Sequence, residues 1–400
     1  MHIAVFSDAY HPRVNGLVSS IDEFAKELRT RGHKVLIVCP SYPPQQMDGV
    51  IDQEGVLRVP SGTAIVSKED RLALPWWAAE VFAQINAFKP DVVHVQTEFS
   101  LGFLGRRYCR KSGIPVISTF HTHYEMYINN YIPFLPGWTG RLAARRFMRL
   151  IYKNDDYVIT PSKQIANMLK SYGIEREFHI IPTGVDGSLF NPKPDKARLL
   201  RQQLAMQYPS LETGPILLFV GRIGYEKNIR LLIESFLLVQ REVPDAKLLF
   251  VGEGPALLAL KKITHEKHLA DHVVFLGYVP RRELPAYYSM AELFIFPSIT
   301  ETQGLVTIEA MLCGTPVVGI NEMGTAEVMK GEKGGLLSSN DVVEYSEKVA
   351  CLLKNQDLRT RKSQEAIERG KHWTIEASCT KLLELYASVA AQMKHAEVRD

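Results

Sequence analysis

The 400-residue chain lacks any stretch of about 18 consecutive apolar residues, so the sequence holds no candidate membrane-spanning helix. Its start, MHIAVFSDAY, carries too short an apolar run for a secretory signal and reads as a first buried strand. Cysteine is scarce. Cys39, Cys109, Cys313, Cys351 and Cys379 are scattered with no CxxC pair, and Cys39 and Cys313 sit in or beside apolar runs. This excludes a disulfide framework and a zinc ribbon, and a reduced, cytoplasmic chain is expected. Strong charge of one sign is missing too. A formal net charge of +3 excludes a polyanion-binding tail, and no nucleic-acid partner is expected. The small cationic surplus falls in residues 1–190, a hint about which half meets an anionic surface. No low-complexity segment, no internal repeat, no GxxxxGK[ST] loop and no Asp-x-Asp triplet occurs.

What is present is an ordinary globular composition, 46% hydrophobic and 23% charged, on a chain too long for one core. Two domains are expected. Short apolar runs at His2–Phe6, Lys34–Cys39, Val92–Val95, Pro115–Thr119 and Tyr157–Thr160 read as buried parallel strands. Helical patterns lie between them at Leu17–Arg31, Trp76–Phe88, Gly102–Ser112 and Gly140–Lys153. The Pro- and Gly-rich stretch Gly187–Asp195 reads as a linker. The rhythm then restarts, with strands at Ile216–Val220, Lys247–Val251, Val273–Leu276, Leu293–Phe296, Pro316–Ile320 and Gly335–Ser338. This βαβ alternation predicts an α/β chain with two doubly wound domains, residues 1–188 and 196–372. A last helix over 375–393 is expected to pack back on the first domain. Ligands bind at the C-terminal edges of such strands, here in a cleft between the domains.

The most informative stretch is FPSITETQGLVTIEAMLCGTPVVGINEMG, Phe296 to Gly324. A strand runs into a Ser/Thr-rich loop, which opens a helix near Leu305. Free amides and the dipole at such a helix start form an anion site. Glu301 lies before the helix and Glu309 inside it, among apolar neighbours where a charge needs partners. Carboxylates beside an anion site suit a ligand with hydroxyls and phosphate, which describes a nucleotide-sugar. After Ile216–Val220 comes GRIGYEKN, where Arg222 and Lys227 can clamp a diphosphate. Charge-assisted bonds of this kind contribute roughly 1.5–3 kcal/mol each.

Both stretches, in this order, resemble the signature of the retaining glycosyltransferases of family 4. The resemblance implies the GT-B fold, two Rossmann-like domains facing across a cleft, with acceptor bound by the first and donor by the second. It implies Glu309 on the ribose hydroxyls, Glu301 near the sugar hydroxyls, and the backbone of Gln303, Gly304 and Leu305 at phosphate and sugar. Arg222 and Lys227 would hold the diphosphate and stabilise the leaving group, and Gly252 and Glu253 of GEGPAL would lie near the base. His121 of FHTHYEMYINNY matches the active-site histidine, and His123 is a second candidate. Gly16 opens the helix after the first strand, where the family usually carries Gly-Gly. Here Asn15 precedes it, and Asn tolerates a left-handed backbone. Without an Asp-x-Asp triplet, transfer without metal or other cofactor is expected, the two cations and the helix start supplying the charge.

The segment HTHYEMYINNY and the run TETQGL are similar to those of diacylglycerol glycosyltransferases. This implies a UDP- or GDP-sugar donor, a lipid acceptor near Tyr124, Tyr127 and Tyr131, and an enzyme peripheral on the inner face of the plasma membrane. On a helical wheel Arg141, Arg145, Arg146, Arg149 and Lys153 span one arc, with Ala143, Phe147, Leu150 and Ile151 on the other. Such a helix suits anionic lipid, or else is an ordinary surface helix. LALPWW, Leu72–Trp77, beside Lys68 and Arg71, adds aromatic residues suited to a headgroup region or to a core. A soluble acceptor, a nucleotide-sugar epimerase and a non-catalytic binding protein stay open as alternatives.

Overall fold

The computed structural model describes residues 1–13, 15–47, 54–63, 71–74, 78–121, 137–301 and 303–397, apart from the side chains of 137, 138, 141 and 394–397. The chain divides into two compact units, Met1–Gly184 with Ile375–Asp400, and Val185–Thr374.

The first unit contains β1 (His2–Phe6), β2 (Lys34–Pro40), β3 (Val56–Val59), β4 (Ser61–Thr63), β5 (Arg71–Ala73), β6 (Val92–Val95), β7 (Val116–Thr119), β8 (Tyr157–Thr160) and β9 (Phe178–Ile180). Seven of these form one parallel sheet, in the order β3-β2-β1-β6-β7-β8-β9, and β4 and β5 pair antiparallel. β1, β6 and β7 are buried on both faces or nearly so, which is why they read as continuous apolar runs. The helix Gly16–Thr30 buries Val18, Ile21, Ala25 and Leu28, one stripe of a 3.6-residue period. The final helix Ile375–Glu397 places Leu382, Leu385, Tyr386 and Val389 in the same apolar cluster as Ile3, Val5, Val18 and Ile21.

The second unit contains β10 (Ile216–Val220), β11 (Lys247–Val251), β12 (Val273–Gly277), β13 (Leu293–Phe296), β14 (Val317–Ile320) and β15 (Gly335–Ser338). They form a parallel sheet ordered β12-β11-β10-β13-β14-β15. The order reverses between β10 and β13. The loops after these two strands therefore part to opposite sides of the sheet and leave a crevice at its C-terminal edge. In the first unit the same reversal falls between β1 and β6.

The candidate donor and hydroxyl sites

The β10–β13 reversal brings together residues far apart in sequence. The loop after β10 makes a 3₁₀ turn at Tyr225–Lys227, which Asn228 ends in a left-handed conformation at φ 54°. Asn228 Nδ2 donates to the carbonyl of Pro297 and to Asn340 Oδ1, at 3.3 and 2.8 Å. This ties the turn to the loop after β13. Lys227 Nζ there makes a short contact with Glu301 Oε1, which also accepts from Ser298 Oγ at 3.0 Å. The ammonium lies 5.8 Å from the centre of the Phe296 ring. Arg222, more exposed, pairs with Glu226 at 2.6 Å. Each cation thus has an acidic partner of its own.

Gly304 stands at φ 76° and caps the helix Leu305–Leu312, so its lack of a Cβ is used. The loop before it is pressed against the start of the helix Met323–Val328. Gly324 N–H donates to the Glu301 carbonyl at 2.8 Å, and a Cβ at Gly324 would come within 2.6 Å of Gln303 N and Cα. Around Gly304, the Thr307 and Thr325 hydroxyls are buried with no hydrogen-bond partner among the described residues. Gln303 is buried and Leu305 half-buried.

Glu309 is 5% exposed, and its charge is compensated. Arg281 Nε donates to Oε1 at 3.2 Å, and Tyr288 O–H donates to Oε2 at 3.1 Å. Burial, together with the Glu309 charge, holds the Tyr288 phenol well above its ordinary pKa, so it stays a donor. Sequence reasoning missed Arg281 and Tyr288, since PRRELP and AYYSM carry no motif. Gly252 lies at φ 134° against the carbonyl of Gly221, 2.0 Å from where a Cβ would sit, and Gly254 lies likewise against Ile223. The two glycines admit the neighbouring loop's backbone. The Glu253 carbonyl accepts from Ile223 N–H at 2.8 Å.

In the first unit His121 follows β7 at its C-terminal edge. Its Nε2 lies 2.6 Å from Gln96 Oε1. Beneath it His94 is buried, with Nδ1 2.6 Å from Tyr386 O–H and Nε2 2.6 Å from Thr119 Oγ1. Burial lowers His121 to about 4 and His94 to about 3, so both are neutral at neutral pH. Below the ordinary histidine value of 6.5 the unfolded chain binds protons that the native imidazoles refuse. Stability is full above about 6.5 and falls as pH drops toward 4. Melting at pH 7.5 and at pH 5 should show the loss in the wild type. An equal loss in the double variant His94→Gln, His121→Gln would contradict it.

Asn15 does not use the left-handed backbone that asparagine tolerates. It is extended, at φ −155°, and caps the helix by accepting from Val18 N–H at 2.9 Å. A capping side chain needs an extended residue, which explains the difference. Nothing lies within 4 Å of a Cβ built on Gly16.

The basic helix keeps its described cations outward and divides its apolar arc. Gly137–Tyr152 buries Ala144, Met148, Ile151 and Tyr152. Of the apolar arc, Ala143 and Leu150 are exposed while Ile151 is buried. Phe147 turns sideways to stack on Phe99, 6.1 Å between ring centres. Leu142 and Leu150, 61% and 55% exposed, lie among exposed Arg146, Arg149 and Lys153. Arg145 stacks over Tyr172 at 5.2 Å. His123, Tyr124, Tyr127, Tyr131, Lys68, Trp76, Trp77 and the side chain of Arg141 lie outside the described residues.

Two Rossmann-like domains, each with a parallel sheet whose order reverses, make the GT-B architecture, and the chain is a glycosyltransferase of that class. Residues 14–189 match the family model described as Glycosyltransferase Family 4, and residues 201–369 match that of Glycosyl transferases group 1. The alpha-monoglucosyldiacylglycerol synthase of Streptococcus pneumoniae is 35% identical over 324 residues, 80% of this chain and 70% of the relative. That of Acholeplasma laidlawii is 28% identical over 378 residues, 90% and 93% of the two chains. The sucrose-phosphate synthase of Thermosynechococcus elongatus superposes with a TM-score of 0.78 at 23% identity, over 98% of this chain and 99% of that one. The chain belongs to glycosyltransferase family 4.

Proposed function

We propose that this glycosyltransferase moves a hexose from a UDP- or GDP-sugar to a hydroxyl of diacylglycerol or a related membrane lipid, with retention at the anomeric carbon. The observation that carries the donor half is the convergence of Lys227, Glu301 and the capped helix start at Gly304 on the β10–β13 reversal. The diphosphate takes Arg222, Lys227 and the backbone amides at the start of the helix, Gln303–Leu305. Glu309, held by Arg281 and Tyr288, keeps an oriented carboxylate for the ribose, and Glu301 serves the sugar hydroxyls. Gly252 and Glu253 lie near the base, Gly16 leaves open space for the donor, and His121 takes a substrate hydroxyl. The C1–O bond to phosphate breaks as the acceptor oxygen bonds C1 on the same face. The departing phosphate oxygen takes the acceptor proton, and nucleoside diphosphate leaves. Positioning and charge stabilisation carry the rate, and the protein's own cations serve the diphosphate in place of a metal.

The lipid half is supported by the names of the two synthases and by one surface. The helices Ser100–Ser112 and Gly137–Tyr152 are joined through the Phe99–Phe147 stack. Phe103, half exposed, and Arg107, Arg110 and Lys111 continue the set formed by Leu142, Leu150, Arg146 and Arg149. Between 99 and 153 the sequence has one acidic residue, Glu125. Exposed leucine and phenylalanine among cations suit an anionic headgroup layer, with the enzyme peripheral to the membrane. Among the described residues no helix is long and apolar enough to cross it.

A panel of UDP- and GDP-sugars with a lipid extract, read by product mass, tests the reading. A glycosylated diacylglycerol is expected, whereas transfer to water-soluble acceptors alone would overturn the lipid assignment. Vesicles rich in phosphatidylglycerol should sediment the enzyme. The double variant Arg146→Ala, Arg149→Ala should bind them about thirtyfold more weakly, at about 1 kcal/mol per cation. Equal binding to neutral vesicles would remove this surface from the proposal.

A further inference from the structure

The polar chain beneath His121 has a direction, and the direction is set by Gln96. The Gln96 amide nitrogen lies 3.2 Å from His94 Nδ1 and 3.3 Å from His94 Nε2. Two ring nitrogens at nearly equal distance place that nitrogen over the imidazole face, since an in-plane position would collide with ring carbon. An aromatic face is negative and receives a donor, so the amide NH₂ belongs there and a carbonyl oxygen does not. The in-plane positions of His94 are already taken by Tyr386 and Thr119. The amide oxygen is thereby turned to His121, 2.6 Å from Nε2. An amide oxygen only accepts, so His121 Nε2 carries the hydrogen and Nδ1 carries the lone pair.

We infer that Gln96 is a positioning residue that holds His121 as the Nε2–H tautomer, so that Nδ1 accepts a hydrogen bond from a substrate hydroxyl. The tautomer stands on the geometry alone, while the hydroxyl rests on the glycosyltransferase reading above. His121 then acts as a fixed neutral acceptor, and not as a proton donor. The groups facing it through this chain are His94 from β6 and Tyr386 from the final helix, both uncharged at neutral pH. The final helix thus reaches the site through Tyr386, His94 and Gln96. Nothing in the sequence signals this, because Gln96 and His94 belong to no motif.

Ring ¹⁵N NMR of the full-length wild type reads the tautomer directly. The expected result is His121 protonated at Nε2 and bare at Nδ1, with no titration between pH 8 and about 5. A bare Nε2, or a ring that titrates near 6.5, overturns the inference. Gln96→Glu places a carboxylate on Nε2. It should raise the His121 titration by at least about one pH unit and move the acid limb of kcat/KM with it. Gln96→Leu should lower kcat about tenfold while donor KM stays within about twofold. An unchanged His121 titration in folded Gln96→Glu, or an unchanged kcat in folded Gln96→Leu, overturns the positioning role. If either variant fails to fold, the wild-type tautomer still decides. If the wild type transferred no sugar at all, the hydroxyl role would fail with the reading above, and the tautomer would stand or fall separately.

Discussion

Lys227→Ala should lower kcat for sugar transfer by about 10²-fold or more at saturating donor. Removing one preorganised donor to developing charge commonly costs this much. Three features of the site enlarge the loss. The ammonium is largely buried, so water replaces it poorly. Its carboxylate partner Glu301 stays behind, among the described residues, with the Ser298 Oγ donor at 3.0 Å. A diphosphate arriving at the start of the helix Leu305–Leu312 would then meet an uncompensated carboxylate in place of an ammonium. The lost interaction grows as the C1–O bond breaks, so kcat and kcat/KM should fall together. Arg222→Ala should cost less, because Arg222 is exposed and its pairing with Glu226 lies in solvent. A Lys227→Ala loss below threefold, with the variant folded, would remove Lys227 from the mechanism.

The parts of the site that sequence reveals are those carried by one continuous segment. Glu301, Gln303, Gly304 and Glu309 sit on a single loop and helix, so their spacing survives as a motif. The same holds for Arg222, Lys227 and Asn228 around one tight turn. The doubly wound α/β architecture was legible as well, because parallel strands covered on both faces read as unbroken apolar runs. What sequence conceals is assembled by strand order. Arg281 and Tyr288 reach Glu309 from a neighbouring helical segment, and Gln96 meets His121 because β6 lies beside β7. A charge among apolar neighbours showed that Glu309 needed partners without showing which.

In the basic helix the sequence leaves the buried face undecided for a simpler reason. Ala143 and Ala144, and Leu150 and Ile151, are adjacent pairs, so the wheel admits two apolar arcs about 100° apart. Packing chose the arc with Ala144, Met148 and Ile151, and left Leu150 among the arginines.

Arg106→Ala should be among the most damaging single changes to the first unit, at about 3–5 kcal/mol. The Arg106 guanidinium is buried and forks onto Asp155, with Nε to Oδ1 at 2.9 Å and Nη2 to Oδ2 at 2.7 Å. Its Nη1 donates to the carbonyl of Thr97 at 3.1 Å, and the group lies 5.7 Å from the centre of the Tyr152 ring. Burial alone would lower the Arg106 pKa, but the hydrogen bond and charge of Asp155 raise it on balance, so the pair is charged. Alanine would strand Asp155, which is almost fully buried, with an unpaired charge. A domain of this size loses about 2–4 °C per kcal/mol, so melting should fall by about 6 °C or more. Replacing both partners, Arg106→Met with Asp155→Leu, should recover most of the loss, because the cost lies in the stranded charge and not in the missing attraction. The change should also be felt in catalysis well below the melting point. Thr97 follows Gln96 directly, and its carbonyl is one of the three anchors Arg106 holds. Freeing that carbonyl loosens the strand end that orients His121, so kcat at 25 °C should fall in Arg106→Ala by more than its unfolded fraction explains. Melting within about 2 °C of wild type would show that this pair contributes no more than an exposed one.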